Sequence, residues 1–145
     1  MKIGLAADHG GFEFKKRLTE HLARAGHEVV DFGPAALDPA DDYPDYGIPA
    51  ARAVSEGRAD RAVLVCNNGI GMGMLANRLP GVRGAVVYNE KTARETRRHH
   101  DSNVLCLGGQ HFTEDELFRM VDAWLAEPFE GGRHARRMAK IKELE

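Results

Sequence analysis

The sequence predicts a single-domain three-layer α/β/α sandwich, built on a five-stranded parallel, Rossmann-like sheet and closed by a C-terminal tail helix. Three observations predict it. Five short apolar runs recur along the chain, each followed by a stretch with helical spacing. The clearest run, Arg61-Ala62-Val63-Leu64-Val65-Cys66, is apolar on both faces, as a central strand covered by helices must be. Polar and glycine-rich segments follow the runs, at the edge where open parallel sheets bind ligands.

Taken in order, Ile3–Ala7 is the first strand, and it stops at Asp8-His9-Gly10-Gly11. Phe14, Leu18, Leu22 and Ala25 then share one helical face, with Gly26 as the stop. Val29–Phe32 is the second strand, leading into a Pro/Asp-rich loop from Gly33 to Pro44. A helix is expected from about Tyr46 to Glu56, ended by Gly57. The Arg61–Cys66 strand follows, and the loop Asn67–Gly71 opens a helix that stops before Pro80-Gly81. Gly84–Tyr88 is a fourth strand, with Asn89 placed to cap the helix after it. Val104–Leu107 is the fifth. Thr113 and Glu116 have the spacing of a capping box, and Leu117, Met120, Val121, Trp124 and Leu125 continue as an apolar stripe. Beyond Pro128 a basic helix is expected from roughly Gly132 to the end.

The 145 residues suit one domain, 1–145, large enough to bury a core without disulfides or metal. The chain has 20 Lys+Arg against 22 Asp+Glu, a net charge of −2, which gives no drive toward nucleic acid or anionic membranes. No apolar run is long enough to span a bilayer. The opening residues turn acidic at Asp8, too early for a secretory signal, so the expectation is a cytoplasmic protein with Cys66 and Cys106 reduced.

Chemistry concentrates first at Cys66. A thiol that closes a strand and precedes Asn67-Asn68-Gly69-Ile70-Gly71 faces the free N–H groups that open the next helix. Such groups favour a thiolate and hold an anionic oxygen. A structural strand-end cysteine is the plainer alternative, and Cys106, with no such loop, is read as core. The loop is no Walker motif, because no Gly-Lys-Ser/Thr follows. Position 74 is Met rather than the last glycine of G-x-G-x-x-G, and Met72 stands where a cysteine phosphatase needs arginine. His99 and His100 end the fourth helix beside Asp101. As a metal pair they point about 100° apart without an evident third ligand, as helix-end histidines they complement the dipole, and as proton carriers they suit neutral pH. Arg133, His134, Arg136 and Arg137 cluster in the tail. Arg133 and Arg137 share a face and together could hold a phosphate, although solvated decoration is the usual meaning of such a run. Arg94, Arg97 and Arg98 are read as a solvated face.

These residues resemble one family over essentially the whole chain, the ribose-5-phosphate isomerase type B and galactose-6-phosphate isomerase group. The similarity rests on Asp8-His9, Asp42-Tyr43-Pro44, Cys66-x-x-Gly69-Ile70-Gly71 with Ala76-Asn77, and His99-x-Asp101-x-Asn103-Val104. It continues through Val121-Asp122-Ala123-Trp124-Leu125 and Phe129-Glu130-Gly131-Gly132-Arg133-His134 with Arg137.

The resemblance implies a cofactor-independent, metal-free aldose–ketose isomerisation of a phosphosugar through an enediolate. It assigns proton transfer between C2 and C1 to Cys66 and ring opening to His99. The backbone of Asn67, Asn68, Gly69, Ile70 and Gly71 would hold the enediolate oxygens. Arg133 and Arg137 would bind phosphate with His9 nearby, and Asp8, Asp42 and Tyr43 would position hydroxyls. It also implies a homodimer, or a dimer of dimers, with sites shared between subunits and the tail helix (about 131–145) packed on a neighbour. Some relatives use glutamate at the position of Met72 in place of the cysteine. The chain departs from the family at Asn67 and Asn68 (usually Gly and Thr), at His100 (commonly Asn) and at Gln110 (often Arg). His100 and Gln110 remain substrate-binding candidates. The departures bear on which sugar is taken: ribose 5-phosphate leads, with four- and six-carbon phosphosugars, or phosphosugar binding without turnover, as alternatives.

Overall fold

The strands follow the apolar runs. In the computed structural model, which describes residues 1–145, the order is β1 (Lys2–Ala7), α1 (Phe12–Arg24), β2 (Glu28–Asp31), α2 (Tyr43–Ser55), β3 (Arg61–Cys66), α3 (Ile70–Ala76), β4 (Gly84–Val86), α4 (Glu90–His100), β5 (Val104–Gly108), α5 (Glu114–Ala126) and α6 (Arg133–Lys142). All pairings are parallel, in the order β2-β1-β3-β5-β4. The chain therefore reverses direction across the sheet between β1 and β3, the switch point at which strand ends splay into a crevice.

Strand periodicity sorts the core into two layers. Ile3, Leu5, Ala7, Val63, Val65, Leu105 and Leu107 face one way, against Phe14, Leu18 and Leu22 of α1 and Met120, Val121 and Trp124 of α5. Ala6, Leu64, Cys66 and Cys106 face the other, against Ala50, Ala53 and Val54 of α2 and Met72 and Ala76 of α3. No helix is long and apolar enough to cross a membrane. Cys66 and Cys106 are both free thiols.

The expected caps are present. Asn89 Oδ1 accepts the Thr92 N–H at 2.7 Å, and Thr113 Oγ1 accepts that of Glu116 at 3.2 Å. Several boundaries differ. α2 begins at Tyr43, three residues early, because Pro44 at its second position needs no backbone donor there. β4 ends at Val86 rather than Tyr88: the Tyr88 N–H turns to Thr92 Oγ1 at 3.3 Å and leaves the ladder. The tail helix covers Arg133–Lys142, since Gly131 and Gly132 hold positive φ and break the chain before it.

Arg97 corrects the reading of a solvated arginine face. Its side chain is 8% exposed, and its guanidinium donates to the Ser102 carbonyl at 2.6 Å and to Asp101 at 2.8 Å. Those bonds satisfy groups in the turn that follows α4. Arg94 and Arg98 are exposed but paired, Arg94 with Glu90 and Glu127, Arg98 with Glu127 and Glu130.

Candidate active site

Two groups of functional side chains form, one at each edge of the sheet. The first sits at the carboxyl ends of β1, β3 and β5. Cys66 keeps 4% exposure there, and its Sγ accepts the Gly69 N–H at 3.2 Å. Gly69 has φ +80, and a side chain on it would press into the backbone of Cys106 and Leu107, so glycine is required for this tight return. Asn68 Oδ1 accepts the Ile70 N–H at 3.0 Å. The N–H groups of Asn68 and Gly71 make no hydrogen bond within the chain and are free to meet an anionic oxygen. Tyr43 lies directly over Gly71, where any side chain would overlap its ring.

Beside this loop, Asp8 is buried, with Oδ1 accepting the Gly10 N–H at 2.8 Å. Burial, more than any charge, holds its carboxyl above the usual range. His9 is exposed and bonded to Asp41. Gln110 Nε2 donates to the Gly10 carbonyl at 2.9 Å and ties two strand-end loops together. A cavity of about 270 Å³ opens there, lined by His9, Gly10, Gln110, Arg17 and Phe112 among others. Asn67 is exposed, its Oδ1 3.2 Å from His111 Nε2. Asp42 is exposed at the start of α2 and makes no capping bond.

The second group lies at the opposite edge. In a parallel α/β unit a helix runs against its strands, so the carboxyl end of α4 delivers His99 and His100 to the amino edge of β5. The His99 ring stacks on His134 of α6, centroids 4.4 Å apart and 14° from parallel. Glu130 lies 3.4 Å from His134 Nε2 and is anchored by Arg98 at 2.7 Å. Burial, then the neighbouring His99, lowers the His134 pKa. Arg133 and Arg137 are exposed on the same helix and form no ion pair within the chain.

The structure therefore brings Asp8, His9, Tyr43, Cys66 to Gly71 and Gln110 together, and separately His99, His100, Arg133 and Arg137. His99, to which the resemblance assigns ring opening, does not reach the crevice of its own chain. The six residues of β3 between the two edges span roughly 17 Å.

Two trios of ligand-type side chains occur, Asp8–His9–Asp41 and His99–Glu130–His134. In each a histidine nitrogen already faces a carboxylate, as in an ion pair. Sequence reading missed Asp41 altogether, since nothing local ties it to a residue 32 positions earlier. It also gave no separate role to His134, whose place in the tail motif was the available signal.

Comparison with known proteins accords with this geometry. The family model described as Ribose/Galactose Isomerase matches residues 3–141. Ribose-5-phosphate isomerase B of Escherichia coli is 37% identical, covering 99% of this chain and 96% of that one. The solved structure of the Clostridium thermocellum ribose-5-phosphate isomerase B superposes with a TM-score of 0.96 at 43% identity, over 99% of this chain and 97% of that one. That of Mycoplasma genitalium, solved with bound ribulose-5-phosphate, gives a TM-score of 0.96 at 42% identity, over 99% and 95% of the two chains.

Proposed function

Because this chain belongs to the ribose/galactose isomerase family, we propose that it interconverts ribose 5-phosphate and ribulose 5-phosphate in a site shared between two copies. It is an aldose–ketose isomerase. The observation that carries the residue assignment is the Cys66 sulfur, held by the Gly69 N–H at the mouth of the switch-point crevice beside the unpaired N–H groups of Asn68 and Gly71.

A proton on carbon next to a carbonyl is weakly acidic, so the base must touch it and the charge must be stabilised as it forms. Cys66, as thiolate, takes the C2 proton. The C2–H bond breaks, the S–H bond forms, and the electron pair moves through C1 onto the carbonyl oxygen. The N–H groups of Asn68 and Gly71 meet the enediolate oxygens. A proton then passes from the C2 oxygen to the C1 oxygen while sulfur returns its own to C1, which gives the ketose. Asp8 and Tyr43 position sugar hydroxyls from the crevice walls, with the exposed Asp42 and Asn67 at its rim.

His99 opens the sugar ring, and Arg133 and Arg137 bind the phosphate. All three stand at the far edge of their own sheet, so a second copy supplies them, with His100 alongside. The unpaired state of both arginines supports this reading. The enzyme is thus read as a homodimer, or a dimer of dimers, whose tail helix serves its neighbour. A phosphosugar does not cross a bilayer unaided, which supports reading the enzyme as cytoplasmic, with its substrate.

Incubation with a panel of phosphosugars in deuterated water tests this. Deuterium enters at the carbon next to the carbonyl of ribose 5-phosphate, and Cys66→Ala abolishes entry. Exchange that persists in the variant removes Cys66 as base. Exchange confined to a four- or six-carbon sugar reassigns the substrate, and none with any sugar leaves phosphosugar binding alone.

A further inference from the structure

Asp41 holds His9 in a way that no other residue of the crevice is held. Its Oδ1 accepts both the backbone N–H of His9, at 3.2 Å, and ring Nδ1, at 2.8 Å. The Asp41 side chain is 2% exposed, and its second oxygen, Oδ2, is buried without any hydrogen-bond partner. His9 is therefore the only donor to this buried carboxylate. A carboxylate accepts and does not donate, so Nδ1 carries a proton, and Nε2 becomes the nitrogen offered to the crevice by a side chain that is 44% exposed.

The other basic groups at this edge are otherwise engaged. Arg17 is bonded to Glu114 at 2.6 Å with Glu13 at 3.9 Å, and all three line the same cavity as His9. His111 is turned to Asn67, and Gln110 is neutral and tied to the Gly10 carbonyl. A phosphate entering here would meet the charges of Asp8, Asp38, Asp41, Glu13 and Glu114. With His9 neutral, Asp41 adds an uncompensated negative charge beside it. With His9 doubly protonated, the pair is balanced and presents an Nε2–H outward.

We propose that Asp41 is a positioning residue: it keeps His9 doubly protonated and aims its Nε2–H at the substrate phosphate. This rests on the reading that the crevice takes a phosphosugar with the phosphate at its His9 end. The bond to Asp41 is the largest effect on the His9 pKa; burial opposes it, the charges of Asp8, Asp41 and Asp38 add to it, and the outcome lies above the ordinary 6.5. The sign follows. A raised imidazole pKa gives a binding advantage that is full at low pH and is lost as pH rises through the raised value.

The test is Asp41→Asn in the full-length protein, with two readouts. NMR titration of ring-labelled histidine, with His9 assigned through His9→Asn, gives the protonation midpoint directly. Steady-state kinetics on ribose 5-phosphate from about pH 6 to 9 give KM and kcat separately. The midpoint falls toward 6.5 in the variant. Its KM rises roughly tenfold near pH 8, as expected for one lost charge-assisted bond, converges on wild type near pH 6, and leaves kcat within about twofold. In a His9→Asn background Asp41→Asn no longer raises KM. An unmoved midpoint, or a KM defect of equal size at every pH, overturns the proposal, the latter being what a merely structural role would give. If the wild type isomerises no phosphosugar, the functional reading fails on its own. The His9 midpoint, and its response to added inorganic phosphate in wild type against Asp41→Asn, still decide the role of Asp41.

Discussion

A mixture of two dead variants should regain activity, by an amount that the geometry sets. In the proposed assembly each complete site joins the carboxyl edge of one copy, bearing Cys66, to the amino edge of another, bearing His99. Cys66→Ala and His99→Asn homodimers each carry one lesion in both sites and are inactive. When the two variants are unfolded together and refolded in equal amounts, random pairing makes about half of the dimers mixed. In a mixed dimer one site collects both lesions. The other takes intact Cys66 from the His99→Asn chain and intact His99 from the Cys66→Ala chain. Half the sites in half the dimers are then whole, so kcat per site recovers to about a quarter of wild type while KM stays at the wild-type value. A dimer of dimers gives the same fraction, provided each site draws on two chains. The assay is initial-rate isomerisation of ribose 5-phosphate before and after co-refolding, with each variant refolded alone as control and mixed dimers counted by native mass spectrometry. Mixed dimers that form without regaining activity would show that Cys66 and His99 of the same chain act together. The roughly 17 Å separation argues against that arrangement.

Two further outcomes are expected. Arg137→Ala raises KM for ribose 5-phosphate roughly tenfold to a hundredfold with kcat nearly retained, because a charge-assisted phosphate contact acts equally on ground and transition states; an unchanged KM in steady-state assays places the phosphate elsewhere. Iodoacetamide modifies one thiol per chain, Cys66, and Cys106 stays unmodified under native conditions, because complete burial pushes its thiol far above the usual range; peptide mass mapping that finds Cys106 labelled first would refute this.

The fold was legible in the sequence because the deciding pattern is local and repeated. Runs such as Arg61–Cys66 are apolar on both faces, which only a sheet covered on both sides can use. Boundaries slipped where a tertiary partner intervened, as at Tyr88, whose N–H is drawn off by Thr92. Arg97 was misread for the same reason. A charge run on a helix looks solvated until the turn beyond it supplies carbonyls to bind. The motifs the proposed site is built on, Cys66 with its glycine loop and Arg133 with Arg137, are local in the sequence. Asp41 was not legible, because its pairing with His9 crosses 32 positions and depends on how a Pro/Asp-rich loop folds back over β1.

The division of the proposed site follows from the architecture rather than from any one residue. In a parallel sheet each connecting helix returns the chain to the amino edge, so a residue ending a helix and a residue ending a strand lie on opposite sides of the same layer. Cys66 ends β3 and His99 nearly ends α4, and no rotamer change brings them together. A base and a proton carrier placed in this way act on one molecule only when two copies oppose unlike edges. The same proposed opposition would bring two unpaired arginines to a crevice whose own cations are His9 and an Arg17 already held by Glu13 and Glu114. The proposed assembly would do three things at once: complete the proton path, supply the charge that an anionic substrate needs, and exclude water from a carbon acid that requires a nearby, desolvated base. On the proposed roles of Cys66 and His99, topology alone calls for a second copy, before any interface residue is considered.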